Sequence, residues 1–151
     1  MSENRDARVE ELERLENGLF QLSSVISRHQ EVVQKRFKVS NVEIDILRLL
    51  HSEGDLKMKD IGAAVKVKLS NLTNIIDRLE QQKLVKRVNS KTDRRSIFVN
   101  VTTKGKKLLS DYAELLRELS SRMRQVMAND QFGAFLEGLE KISQVEVQPA
   151  S

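Results

Sequence analysis

Residues 58–103, MKDIGAAVKVKLSNLTNIIDRLEQQKLVKRVNSKTDRRSIFVNVTT, decide the fold, because the apolar period changes within them. Met58 to Val65 reads as a short helix in which Gly62 and Ala63 are small enough to admit a second helix at close range. A tight break follows at Lys66-Val67-Lys68. Beyond it Leu69, Leu72, Ile75, Ile76 and Leu79 recur at helical spacing, which predicts an amphipathic helix ending around Lys83. Past Leu84 the period becomes two: Val85 to Asn89 alternates, and Ile97, Val99 and Val101 share one face with Phe98 and Asn100 on the other. The polar stretch from Ser90 to Arg95 between these strands makes a hairpin with a basic tip. Two short, tightly joined helices followed by such a hairpin form a helix-turn-helix with a wing.

Upstream, Leu12, Leu15, Leu19, Leu22, Ile26 and Val33, with His29 filling the gap, lay a narrow apolar seam along one long helix. Ser40-Asn41-Val42-Glu43 offers a capping box for a helix that runs through Ile46, Leu47, Leu49 and Leu50 to Gly54. Downstream, Thr102 or Thr103 can cap a helix rich in Leu and Met from Leu108 to Met127, and Asn129-Asp130 restarts the chain for a last helix carrying Phe132, Phe135, Leu136, Leu139 and Ile142. The expected class is mainly α with a small β-hairpin wing (α+β), a winged helix-turn-helix core over 40–104 flanked by dimerisation helices over 9–37 and 105–143. The terminal helices carry more apolar surface than one small winged domain can cover, so self-association is the natural way to bury it.

Composition narrows the function. The chain has 151 residues, room for one domain with its own core. It has no Cys, which excludes disulfides, thiolate metal sites, cysteine nucleophiles and thiol redox sensing. Two His without close ligand spacing make no metal site, and no cofactor is implied. No phosphate-cradling Gly loop or Ser/His/carboxylate pattern stands out, so the reading is not an enzyme. No apolar run is long enough to span a membrane, and the first 16 residues are dense in charge, which predicts a cytoplasmic protein without membrane contact.

Charge is unevenly placed. Residues 57–107 hold 14 Lys or Arg against 4 Asp or Glu, or +10, whereas the other residues hold 12 against 18, or −6. That split points to a central module facing nucleic acid, a merely solvated basic face being the plain alternative. On the helix from Leu69, the polar residues left outside the apolar stripe include Ser70, Asn71, Thr73 and Asn74, the candidates for base edges in the major groove of double-stranded DNA. Arg78, one turn on, suits a phosphate. At the wing, Arg94 and Arg95, with Lys91, are candidates for the minor groove, and Asp93 for fixing the tip through an Arg. Lys66 and Lys68 are weaker phosphate candidates.

Asp77-Arg78-Leu79-Glu80, Leu84-Val85-Lys86-Arg87, Asp93-Arg94-Arg95 and Val101-Thr102-Thr103-Lys104-Gly105 together resemble the MarR family of winged helix-turn-helix regulators, with Val101 where Leu is usual. The element order agrees from about residue 9 to 143. The resemblance implies a homodimer whose first and last two helices interlock about a two-fold axis, each winged domain docking on half of a pseudopalindromic operator, commonly as a repressor. It also implies release by a small aromatic or lipophilic effector, although His29, Arg36 and His51 form no legible ligand constellation. The chain departs from the family where Gly commonly precedes and follows the recognition helix, with Lys66 and Lys83 in those places, and where a Ser cap is usual, with Lys68. Either the local geometry differs or each Lys carries about 1 kcal/mol of strain. The competing readings are a winged-helix protein-interaction module, which needs no basic wing, and an architectural protein that binds DNA without sequence preference.

Overall fold

In a computed structural model of the chain, residues 2–89 and 97–145 are described. The elements run α1 (Ser2–Phe37), α2 (Asn41–Glu53), β1 (Leu56–Lys57), α3 (Met58–Ala64), α4 (Leu69–Gln81), β2 (Val85–Asn89), β3 (Ile97–Val101), α5 (Thr103–Gln125) and α6 (Asn129–Ile142). The chain divides into two compact units, Met1–Tyr112 and Ala113–Ser151. No helix among the described residues is long and apolar enough to cross a membrane.

In the first unit, α2 begins as its sequence requires. The Glu43 amide donates to Ser40 Oγ at 3.4 Å while Glu43 Oε2 accepts from the Ser40 amide at 2.7 Å, closing the capping box. The helix stops at Gly54, whose φ of 83° an L side chain adopts only with strain. The core is built from α2 (Ile44, Ile46, Leu47, Leu50), Ile61 of α3, the inner stripe of α4 (Leu72, Ile76, Leu79) and the sheet residues Val85, Val99 and Val101, all buried. Gly62 gives α3 and α4 their close approach: a Cβ there would lie 3.0 Å from the Val67 carbonyl oxygen and 3.5 Å from Leu72 Cδ2. Ala63, expected to share that role, faces solvent.

The sheet has three strands in the order β1-β3-β2, not the two of the hairpin alone. Two residues, Leu56 and Lys57, pair antiparallel with Val99 and Phe98, and a strand this short shows no alternation to read. β2 and β3 pair from Val85↔Val101 to Asn89↔Ile97, and the tip candidates Lys91, Asp93, Arg94 and Arg95 lie outside the described residues.

On α1, Leu12, Leu15, Leu19 and Ile26 of the apolar seam are about half exposed, while Val33 near its end is buried. His29 meets Tyr112 edge to face, ring centroids 6.4 Å apart. In the second unit, Gln131 caps α6 by accepting from the Ala128 amide at 3.1 Å, and Leu136, Leu139 and Ile142 are exposed.

Candidate nucleic-acid interface

The helix that carries the candidate base readers is held by a sharp division of its surface. Leu72, Ile76 and Leu79 are 0% exposed, which fixes the rotation of α4 about its axis. Ser70, Asn71, Thr73, Asn74 and Arg78 then fall on the exposed surface. Thr73 Oγ1 donates to the Leu69 carbonyl at 3.0 Å, leaving its methyl group and an acceptor lone pair facing outward. The structure therefore brings Ser70, Asn71, Thr73 and Asn74 together on one outward stripe at the start of the helix.

Lys66 has φ 54° and Lys83 φ 62°, so the turns keep the left-handed backbone that Gly serves best, and the strain branch of the expectation is the one realised. A third lysine, Lys38 after α1, shares this conformation at φ 58°. Lys68 occupies the cap position of α4 with no side-chain cap hydrogen bond. Lys66 and Lys68 are exposed in the segment that leads into the first turn of α4.

Arg78 is placed differently from a free phosphate contact. One guanidinium nitrogen lies 3.2 Å from Glu43 Oε1, and Glu43, 4% exposed, is the buried acid of the α2 capping box. Its other oxygen accepts from the Ser40 amide and hydroxyl. Arg78 thus ties α4 to the start of α2 and completes the charge balance of a carboxylate that burial would otherwise penalise. Its side chain remains 58% exposed, so its outer nitrogens are open to a further anion. An open cavity of about 430 Å³ borders the pair, lined among others by Glu31, Lys35, Lys38 and Gln82.

The recognition helix also carries two carboxylates, and both are engaged by one residue of β2. Arg87 donates to Asp77 Oδ1 at 2.6 Å and to Glu80 Oε2, while its amide donates to Glu80 Oε1 at 3.0 Å. Burial works against the guanidinium charge, but the hydrogen bonds to Asp77 and Glu80 and their charges outweigh it and hold its pKa above the ordinary arginine value. The far end of α4 is fixed by the helix start that follows β3. Thr102 Oγ1 accepts from the Gly105 amide at 3.1 Å, so Thr102 rather than Thr103 is the cap, and it donates to the Lys83 carbonyl at 2.7 Å. Lys104 Nζ donates to the Gln82 carbonyl at 2.8 Å.

Arg87, Glu80 and Gly105 acquire roles that residue-type reasoning alone did not assign, and Thr102, expected as a cap, also reaches the Lys83 carbonyl. The usable signal for the clamp was the spacing of Asp77 and Glu80, three apart on the polar face, with an Arg among the alternating strand residues that follow. Among the described residues no group of three His, Asp or Glu side chains could hold a metal ion.

The comparisons agree with this geometry. Residues 39–97 match the family model described as MarR family. The chain is similar to the uncharacterized HTH-type transcriptional regulator YfiV of Bacillus subtilis (strain 168), 33% identical over 108 residues that cover 72% of this chain and 68% of that protein. Among solved structures, the YusO protein from Bacillus subtilis is similar with a TM-score of 0.80 at 22% identity, covering 89% of this chain and 96% of that one. Streptococcus pneumoniae FabT in complex with DNA is similar with a TM-score of 0.74 at 20% identity, covering 87% of this chain and 94% of that one. These likenesses show a winged helix-turn-helix fold, and with the family match and the YfiV likeness beside them the chain belongs to the MarR family.

Proposed function

We propose that the protein is a sequence-specific double-stranded DNA-binding transcriptional regulator of the cytoplasm, acting as a homodimer on a pseudopalindromic operator and repressing from it. The observation that carries this reading is the division of α4. Its apolar stripe is fully buried, its outward stripe presents Ser70, Asn71, Thr73 and Asn74, and the surrounding 57–107 segment has a charge of +10. Asn reads adenine, Ser and Thr read either bases or phosphates, and cations at the flanks meet phosphates. The complex of Streptococcus pneumoniae FabT with DNA supports DNA as the partner for this fold.

The homodimer is supported by the half-exposed seam of α1 and by the exposed Leu136, Leu139 and Ile142 of α6, apolar faces that a second copy would cover. Two linked half-sites would then mirror the two-fold axis. Release by a small aromatic or lipophilic effector follows the family pattern; with no Cys in the chain, release by thiol oxidation is closed.

The test is selection of source-genome fragments by the purified protein at about 150 mM salt, where weak phosphate contacts are screened. Enrichment of a pseudopalindrome with half-sites about one helical turn apart is expected. Retention of DNA without sequence enrichment would favour an architectural role, and no retention by a folded dimer would favour protein docking.

A further inference from the structure

Three observations on α4 and β2 converge on one residue. First, the outward stripe of α4 does not end with Asn74. Helical spacing carries it from Ser70 through Thr73 and Asn74 to Asp77 and then Glu80, successive steps of three, one, three and three that keep all five on one face. The face read here as DNA-facing therefore ends in two carboxylates, the wrong charge for a phosphate backbone. Second, neither carboxylate is free. Arg87 of β2 reaches across with its two terminal nitrogens, one on each acid, and its amide takes the remaining Glu80 oxygen. Third, Arg87 is only 28% exposed in its side chain, more covered than either acid, at 47% and 39%. It is spent on the acids rather than presented outward as a phosphate contact.

We propose that Arg87 is a masking and positioning residue for DNA binding: it offsets one of the two negative charges that Asp77 and Glu80 place on the recognition helix, and it locks that helix to the root of the wing. The acids gain a purpose in the same arrangement. They grip the first wing strand two residues before it leaves toward the tip, since β2 ends at Asn89, so the helix and the wing enter their grooves as one body. A fork-shaped guanidinium suits this bridge because it holds two carboxylates in fixed directions at once, which an ammonium point charge does not. The inference rests on the DNA-binding reading above.

The test uses the full-length protein and a labelled random-sequence duplex of about 30 base pairs, which reports the phosphate contribution alone. Four proteins are compared: the wild type, Arg87→Gln, Arg87→Lys, and Arg87→Gln combined with Asp77→Asn and Glu80→Gln. Arg87→Gln is expected to weaken binding about tenfold at about 50 mM salt, with the deficit shrinking toward unity near 300 mM as the uncovered acids are screened. Neutralising the two acids in the same chain is expected to restore affinity to within about threefold of wild type, a rescue that a purely structural role for Arg87 would not give. Arg87→Lys should fall between, its charge retained and its fork lost. Circular dichroism confirms that each variant is folded. Wild-type affinity in Arg87→Gln, or a triple variant as weak as the single one, overturns the masking role while leaving DNA binding intact; a wild type that does not bind DNA overturns both readings.

Discussion

Gly105 closes the motif Val101-Thr102-Thr103-Lys104-Gly105, and the structure gives that glycine a steric reason. A Cβ at this position would lie 2.3 Å from the Leu84 carbonyl oxygen and 2.7 Å from Val101 Cγ2. A carbon and an oxygen rest about 3.3 Å apart or more, so Gly105→Ala must open roughly 1 Å between the start of α5 and the segment leading into β2. The carbonyl cannot yield cheaply. Leu84 O accepts from the Thr102 amide at 3.0 Å, and the same Thr102 caps Gly105 through a hydroxyl whose own proton goes to the Lys83 carbonyl at 2.7 Å.

Moving the carbonyl weakens that amide hydrogen bond, worth about 1 kcal/mol net. Overpacking against Val101 adds about 1 to 3 kcal/mol. The better helix propensity of Ala returns about 1 kcal/mol. The balance is a loss of about 2 kcal/mol, or a fall in Tm of roughly 6 °C for a chain of this size. Thermal melts followed at 222 nm, at one fixed protomer concentration, measure it. Gly18→Ala, in a helix with nothing within 4 Å of the added methyl, is the control and should be neutral or stabilising by up to about 1 kcal/mol. A Gly105→Ala melt within about 2 °C of wild type would refute the steric argument.

Three further outcomes follow from the geometry. Ser40→Ala removes the hydroxyl that accepts from the Glu43 amide and donates to Glu43 Oε2, and a cost of about 1 kcal/mol is expected in urea unfolding; no change in the midpoint would mean that the cap is idle. Asn74→Ala should relax base preference in a competition against variant operators, whereas Arg94→Ala should lower affinity for all of them and reduce the salt slope by about 1; identical behaviour of the two would remove the division between reader and wing. Leu15→Arg, on the exposed seam of α1, should leave the circular dichroism spectrum unchanged and shift sedimentation at micromolar concentration from dimer to monomer, and a variant that stays dimeric would take that seam out of the interface.

Much of this architecture was legible because it is local. The capping box at Ser40, the stripe of Leu72, Ile76 and Leu79, and the alternation of β2 and β3 are each written within a dozen residues, and burial follows period along α4 and at Val99 and Val101, whereas Ile97 on the same strand face is about half exposed. What was not legible is non-local or too short to carry a period. β1 is two residues whose only signature is a partner more than forty positions away, in β3. Arg78 reads as a free cation until α2 is laid beside α4 and Glu43, buried at the α2 start, claims one of its nitrogens. Arg87 looks like one more basic strand residue, yet folding converts it from outward charge into a counter-ion for the recognition helix. The 14 Lys and Arg of the central segment therefore overstate the cations open to DNA, because Arg87 is committed to Asp77 and Glu80.

The lysines at Gly-type positions combine three opposing contributions. Lys38, Lys66 and Lys83 each follow the end of a helix, α1, α3 and α4, in the left-handed conformation. That conformation costs an L residue about 1 to 2 kcal/mol. A cation at a helix C-terminus recovers about 0.3 to 1 kcal/mol from the dipole. Replacement by Gly would add about 0.4 to 1 kcal/mol of unfolded-chain entropy that folding must overcome. These contributions nearly cancel, so Lys66→Gly and Lys83→Gly should each move Tm by no more than about 2 °C. Their effects on DNA should differ. Lys66 stands just before the turn of α4 that presents Ser70 and Asn71, while Lys83 lies at the opposite end, where its carbonyl is bound by Thr102. Lys66→Gly should lower the salt slope by about 0.9, one phosphate contact, and Lys83→Gly should leave it unchanged. A slope lost at Lys83 and kept at Lys66 would mean that α4 meets DNA with its other end; a large rise in Tm for either variant would mean that the dipole and entropy contributions do not offset the strain.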